Sequence, residues 1–266
     1  MMKTRLIIAV IALSLLFSWG CKKKADQLPD EEMASMITTF APLPSFKEVY
    51  ASLDQVQVKD IAAAVPTEIF KTKQEEVRNA FSLGLLTADA VLAAKGRDKN
   101  KLRDISAQMM SLTGLLGLES EVNRLGDEMK TMIEKSDWDG LDKALDFHKE
   151  DVESALWEAE NYDNYTLMLM GGWIEAANRI AWLVDQDYSA ERTKVLAQKG
   201  TFNHLHSNLK QIKSEHVVEQ AAFQTALENV QELRELINSD QDGVYNKEQI
   251  KSIIELTGNI KAAFQE

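Results

Sequence analysis

The sequence predicts an all-α protein in which two tandem four-helix units, packed as a duplicated helical bundle or a short solenoid, follow a signal peptide and a flexible tether. Three observations predict it. The 266 residues include only four prolines and twelve glycines, so the turn signals of β-rich proteins are sparse. Apolar residues recur at helical spacing along most of the chain. The turn Ser-Asp-x-Asp-Gly occurs twice, at residues 136–140 and 239–243.

The composition is that of an ordinary globular protein, with 45% hydrophobic and 27% charged residues. The formal net charge is −12, and an acidic surface repels the phosphate backbones of nucleic acids. We therefore expect no nucleic-acid partner. The acidic excess is most simply a solvated surface that keeps the protein soluble.

Residues 1–20 have the pattern of an export signal, because Lys3 and Arg5 precede an apolar run over residues 6–17. The run is too short to span a bilayer as a mature helix. The sole cysteine, Cys21, follows directly and has no disulfide partner in the chain. The segment resembles bacterial lipoprotein signals, in which this cysteine carries covalent lipid such as palmitate. A secreted form without lipid and a retained anchor are the alternatives.

A tether is predicted over residues 21–44, which include Pro29, Pro42 and Pro44. Three lysines directly after the cysteine would face anionic lipid headgroups. The lipid is expected to hold the exported protein on a cell-envelope membrane, facing the periplasm. Apart from this covalent lipid, no cofactor is expected.

The globular part is predicted to begin with short helices over residues 45–70. The first four-helix unit then covers residues 71–161. Its first helix starts after Thr72, a plausible N-cap, and ends at Gly96. Its second and third helices are separated near Gly117, and the first Ser-Asp-x-Asp-Gly turn leads into the fourth.

The second unit, residues 162–266, is predicted to repeat this plan. Its second helix, residues 189–212, has a candidate break at Gly200. Three matches occur in the same order in both units: Gly84 with Gly172, Ala107-Gln108 with Ala197-Gln198, and the first turn with the second. Ordered matches of this kind indicate an internal duplication, and repeated helical units stack and share a core.

The first helix of each unit also resembles a known family. The segments that carry the resemblance are Phe81-Ser82-Leu83-Gly84 and Gly171-Gly172-Trp173-Ile174-Glu175. They are similar to an uncharacterised family of all-helical lipoproteins from Bacteroidota and related bacteria. That family has no assigned activity, so the resemblance implies the architecture and adds no function.

The second Ser-Asp-x-Asp-Gly turn matches part of a calcium loop. With Asn238 first, Asp240 falls third, Asp242 fifth and Asn246 ninth in a twelve-residue EF-hand loop. The twelfth position is Gln249, where calcium favours a bidentate glutamate. The alternative is a plain helix connector, in which aspartate caps the next helix and glycine supplies backbone freedom.

A ligand pocket is the second candidate site. Gly172 would let a ligand approach the backbone, Trp173 would stack on it, and Asp89 and Glu175 would fix polar groups. In the alternative, the glycines let two helices pack closely, as Gly84 in the sister helix indicates.

Two acidic residues in apolar helices need partners or altered pKa values, whichever alternative holds. The nearest basic residues to Asp89 and Glu175 in the sequence are Arg78 and Arg179. A lone histidine on an apolar stripe, His148, is expected to be a hydrogen-bonded core residue.

The sequence contains no Gly-x-Ser-x-Gly elbow, no His-Glu-x-x-His and no glycine-rich phosphate loop. We therefore expect a membrane-anchored lipoprotein that acts as a non-enzymatic binding or assembly module with an envelope protein partner. The alternative is a periplasmic solute- or metal-binding lipoprotein, with a pocket between helices and a weak calcium site in the second turn.

Overall fold

The structure is a computed structural model that describes residues 50–51, 53, 61–66 and 75–265. The chain divides into two units, residues 1–39 and 40–266, and every described residue belongs to the second. The predicted signal peptide, Cys21, the tether and most of the predicted short helices at 45–70 lie outside the described residues.

All regular secondary structure in the described part of the chain is helical, which confirms the predicted all-α class. The longer helices are α1 (Glu76–Lys95), α2 (Lys99–Leu115), α3 (Glu119–Lys135), α4 (Trp138–Glu158), α5 (Tyr162–Gln186), α6 (Lys199–Gln211), α7 (Ala221–Asn238) and α8 (Lys247–Gln265). Short helical turns lie at Ile61–Ala64, Ala190–Thr193, Lys194–Leu196 and Glu215–Val218.

Several predicted helix ends are confirmed. Gly96 is the C-cap of α1, and Gly117, with φ +75°, separates α2 from α3. The start of α1 is later than predicted, because Glu75 is its N-cap. The predicted break at Gly200 is wrong: the chain bends before α6, and Gly200 lies inside that helix.

Helices α1 and α5 pack against each other more extensively than any other pair. In the first group, α1 to α4, each helix contacts the next and α4 returns to α1; in the second group, α5 to α8 do the same. Buried apolar residues of both groups form one continuous core. The α1–α5 interface therefore joins two four-helix groups, while their origin by duplication stays a prediction.

Helix α1 is long and apolar enough to cross a membrane, judged by length and composition alone. However, 94% of its most apolar stretch is buried inside the protein. A helix that is apolar on all sides and covered by other helices is typical of the core of a soluble domain. Helix α5 is buried in the same way along most of its length.

The two Ser-Asp-x-Asp-Gly turns differ in structure. In the first, Ser136 takes the left-handed φ of +56°, and Asp137 caps α4 by accepting a hydrogen bond from the Gly140 amide at 3.0 Å. Gly140 is thus helical, so its expected role in backbone freedom is wrong. In the second, Gly243 has φ +71°, where glycine is favoured, and the chain runs on to α8.

Candidate functional site

The centre of the fold is the point where α1 and α5 cross. A Cβ atom at Gly84 would overlap the carbonyl oxygen of Met168 and lie 2.9 Å from the Gly172 amide nitrogen. A Cβ atom at Gly171 would overlap the carbonyl oxygen of Phe81. Only residues without side chains allow the two backbones to approach this closely, so the close-packing alternative for the glycines is realised here.

The contacts at this crossing are reciprocal. Gly84 faces the carbonyl four residues before Gly172, and Gly171 faces the carbonyl four residues before Leu85. Each helix therefore presents the same pattern to the other, as in a two-fold contact. The crossing equates Gly84 with Gly171, so the predicted correspondence with Gly172 is shifted by one residue.

Next to the crossing lies a buried ionic cluster. Glu175 is fully buried and forms ion pairs of 2.5 Å with both Arg179 and Lys261. Asp89, also buried, lies 3.4 Å from the Arg179 Nε atom. The cluster ties α1, α5 and α8 together, and it confirms Arg179 as the partner that the two acids require.

The two carboxyl groups of the cluster differ in charge. Burial raises the pKa of Asp89 well above its usual range, and the charge of Glu175 raises it further, against the effect of Arg179. Burial also acts to raise the pKa of Glu175, but Lys261 and Arg179 together outweigh it and hold that pKa below its usual value. Glu175 is therefore held ionised between its two cations, whereas Asp89 takes up a proton more readily than Glu175 does.

The other predicted basic partner lies elsewhere. The Arg78 side chain donates to the Glu75 carboxylate at 3.0 Å and to the backbone carbonyl of Ala263 at 3.1 Å. It thus fastens the start of α1 to the end of α8. Its expected pairing with Asp89 or Glu175 is not what these contacts show.

The aromatic residue of the predicted pocket packs away from the charges. Trp173 is buried, and its ring lies 6.5 Å from that of Phe202 in an edge-to-face arrangement. A cavity of about 10 Å³ lies beside it, which is room for about one water molecule. The predicted site residues are thus partly brought together: Asp89 and Glu175 meet, Gly172 lies at the crossing, and Trp173 faces α6. Ligand binding by them stays a prediction.

In the second turn, the predicted calcium ligands hydrogen-bond to the turn itself. The Asp240 carboxylate accepts from the backbone amides of Asp242 at 2.8 Å and Val244 at 3.3 Å. Asn246 and Gln249 cap each other's backbone amides, both at 2.9 Å. These bonds are those of an Asx turn and a capping pair at the start of α8.

Two further contacts define the electrostatics of this turn. Asn238 donates to the side chain of Asn203 at 3.1 Å and to the carbonyl of Arg234 at 2.7 Å. The Lys199 ammonium group donates to the backbone carbonyl of Asp240. The lysine places a positive charge beside the turn, which is unfavourable for a second cation, and the calcium site stays a prediction.

His148 lies on the buried face of α4, as expected for a core residue. Burial lowers its pKa to about 4, against the opposing effect of Asp151. Within the described residues, its Nε2 atom has no hydrogen-bond partner. In that same part of the chain, no three His, Cys, Asp or Glu side chains lie close enough together to hold a metal ion.

No known protein family, curated protein or solved structure matches this chain. The functional interpretation therefore rests on the residues and their geometry.

Sequence reasoning missed Lys261, a member of the ionic cluster, and Tyr50, a buried residue near it. Lys261 follows the buried Ile260 on α8 and pairs with Glu175. In the sequence, its position is that of any lysine beside an apolar stripe. Tyr50 is buried near the cluster, since both acids add to the effect of burial in raising its pKa. Neither residue gives a local sequence signal, because both reach the cluster only through tertiary packing.

Proposed function

We propose that the protein is a lipid-anchored helical module of the cell envelope that binds or assembles with an envelope protein and does not itself catalyse a reaction. The observation that carries the proposal is that the buried acids pair with cations inside the helical core. Glu175, the ionised acid, is fully buried between two cations, so its charge is already paired inside the helical core. A substrate would have to separate α1, α5 and α8 to reach it.

The leader supports the proposed location. A covalent lipid on Cys21 would anchor the chain, since each buried methylene contributes about 0.8 kcal/mol and several acyl chains make attachment durable. The basic Lys22 and its two neighbours would add attraction to anionic headgroups. The tether at 21–44 would then carry the helical part away from the bilayer.

The anchor is tested with Cys21→Ser in the full chain, expressed in a bacterium that processes lipoproteins. We expect the variant to leave the membrane fraction and its intact mass to lack the acyl groups that the wild-type protein carries. A variant that stays in the membrane fraction with the same processing and mass as wild type would exclude lipidation at this residue.

The assembly role is tested by crosslinking in cells followed by mass spectrometry. We expect the wild-type chain to yield a reproducible envelope partner, and a surface-charge variant of the helical part to weaken that crosslink. The non-enzymatic part has its own test: the purified chain is screened against a broad panel of hydrolase substrates. Turnover that disappears in folded Asp89→Asn would contradict the proposal.

A further inference from the structure

A second cleft lies at the connection between α4 and α5. Its volume is about 280 Å³, close to the lower end of small-molecule sites. It is lined by Glu153, Ser154, Trp157, Glu158 and Tyr165. None of the residues singled out by the sequence patterns belongs to it.

The aromatic rings at this cleft are arranged as perpendicular walls. The Trp157 ring lies 4.8 Å from that of Tyr162 and 5.6 Å from that of Tyr165, with interplanar angles of 79° and 72°. Tyr162 is buried and supports Trp157 from behind, whereas Trp157 and Tyr165 are half-buried and line the cleft. The faces of such rings carry negative electrostatic potential and attract cations.

The charges at the cleft also favour a cation. Glu158 is exposed and is the final residue of α4, and the last turn of that helix contains no basic residue. The C-terminal end of a helix is its negative end, where an acidic side chain is unfavourable and a cation is favourable. Glu153 adds a second carboxyl group, but burial raises its pKa and Lys149 pairs with it at 2.7 Å, so it contributes less negative charge than Glu158. A cation that binds beside the C-terminal end of α4 is therefore attracted electrostatically.

From the ring geometry and the exposed Glu158 carboxylate together, we infer that this cleft binds a small organic cation with a quaternary ammonium group. The methylated nitrogen would lie against the rings of Trp157 and Tyr165, and Glu158 would supply the balancing charge. A quaternary ammonium group fits because it has no N–H to satisfy and binds aromatic faces well. This inference is independent of the proposed assembly role.

The test is isothermal titration of the purified full chain with choline chloride. The matched control ligand is 3,3-dimethylbutan-1-ol, which has the same shape without the charge. We expect saturable binding of choline and none of the alcohol. No saturation up to roughly 10 mM choline, ten times the dissociation constant of a weak site, would overturn the inference, as would equal binding of the alcohol.

Variants locate the site. We expect Trp157→Leu to weaken choline binding by roughly tenfold, because a desolvated cation–aromatic contact is lost. Glu158→Gln should weaken it by about threefold, while Glu134→Gln, an exposed acid near the end of α3, should leave it unchanged. If Trp157→Leu does not fold, the two glutamine variants still test the site. Equal choline affinities of these two variants would overturn the assignment.

A final arm separates two sources of the same chemistry. Phosphatidylcholine vesicles and phosphatidylglycerol vesicles are offered to the chain carrying Cys21→Ser. Binding of choline together with selective binding to phosphatidylcholine assigns the cleft to a lipid headgroup, whereas binding of free choline alone assigns it to a soluble solute. Absence of choline binding would overturn the inference, whatever the vesicles show.

Discussion

The two four-helix groups have the same helix order and meet through reciprocal contacts, yet their buried charges are unequal. At the crossing, Gly84 of the first group and Gly171 of the second make equivalent backbone contacts. To the ionic cluster, however, the first group contributes only Asp89, whose pKa burial raises. The second supplies the ionised acid and both cations: Glu175, Arg179 and Lys261.

This difference teaches that similar helix packing does not require similar interiors. The backbone geometry is set by small residues at one point, which both groups provide. The charges can then lie mostly on one side of the interface, provided that each buried ion has a partner. Substitutions in the two groups should therefore have equal effects at the crossing and unequal effects in the cluster.

The largest expected effect compares the two acids. Glu175→Gln leaves Arg179 and Lys261 without their shared anion, so we expect a loss of about 3–5 kcal/mol in the free energy of unfolding. Asp89→Asn keeps the shape of the side chain at the acid whose pKa burial raises, so it should cost less than about 1.5 kcal/mol. Urea denaturation at pH 7 measures both. Equal losses would show that the two acids carry similar charge.

The fourth helices give the next comparison, since α4 buries the neutral His148 where α8 brings in the cationic Lys261. The folded-state pKa of His148 is about 4, below its ordinary 6.5. As the pH falls from 6.5 to 4, the unfolded chain binds a proton that the folded chain does not. Stability should therefore decrease over this range by up to roughly 3 kcal/mol.

This pH dependence is checked by denaturation of wild type and His148→Gln between pH 4 and 7. The variant should show a flatter profile, while His204→Gln, at an exposed position, should keep the wild-type profile. Asp89 acts with the opposite sign: its raised folded-state pKa adds stability that is complete below 3.8 and is lost as the pH rises. Asp89 is present in both wild type and His148→Gln, so its contribution cancels when the two pH profiles are subtracted.

The crossing should respond symmetrically. Gly84→Ala and Gly171→Ala each place a methyl group against a backbone carbonyl, so we expect similar losses of about 1–3 kcal/mol. The control is Gly258→Ala, in the open on α8, which should gain about 0.5–1 kcal/mol. Thermal and urea denaturation measure all three. If one of the substitutions Gly84→Ala and Gly171→Ala is tolerated and the other is not, the two glycines do not make equivalent contacts.

The smallest expected effect is a difference in stability between glycine substitutions in the two Ser-Asp-x-Asp-Gly turns. Gly243→Ala forces alanine into a left-handed conformation and places its Cβ atom 2.7 Å from the Ala197 Cβ atom, so it should cost about 1–2 kcal/mol. Gly140→Ala gains helix propensity of about 1 kcal/mol but crowds the Asp137 cap, so the two terms should nearly cancel. Denaturation of both variants checks this.

The calcium hypothesis is tested in the same turn. Isothermal titration with calcium is carried out on wild type and Asp242→Ala. Heat that saturates at millimolar calcium and disappears in the variant would support the predicted site. Heat that is absent, or the same in both chains, would end the hypothesis.

The sequence alone determined the helical class and most helix positions, because the apolar period and the breaks at Gly96 and Gly117 are local properties. It also determined that buried acids at 89 and 175 need partners. Arg179 was accessible to this reasoning, since it lies four residues after Glu175 on the same helix face.

Only the tertiary structure decided which distant residues meet. Successive residues on a helix point about 100° apart, so a contact between helices depends on a rotation that the apolar period does not specify to one residue. That is why the crossing pairs Gly84 with Gly171 instead of Gly172, and why Lys261 enters the cluster without a sequence signal. The cleft between Trp157 and Tyr165 likewise exists only because the chain turns back between α4 and α5.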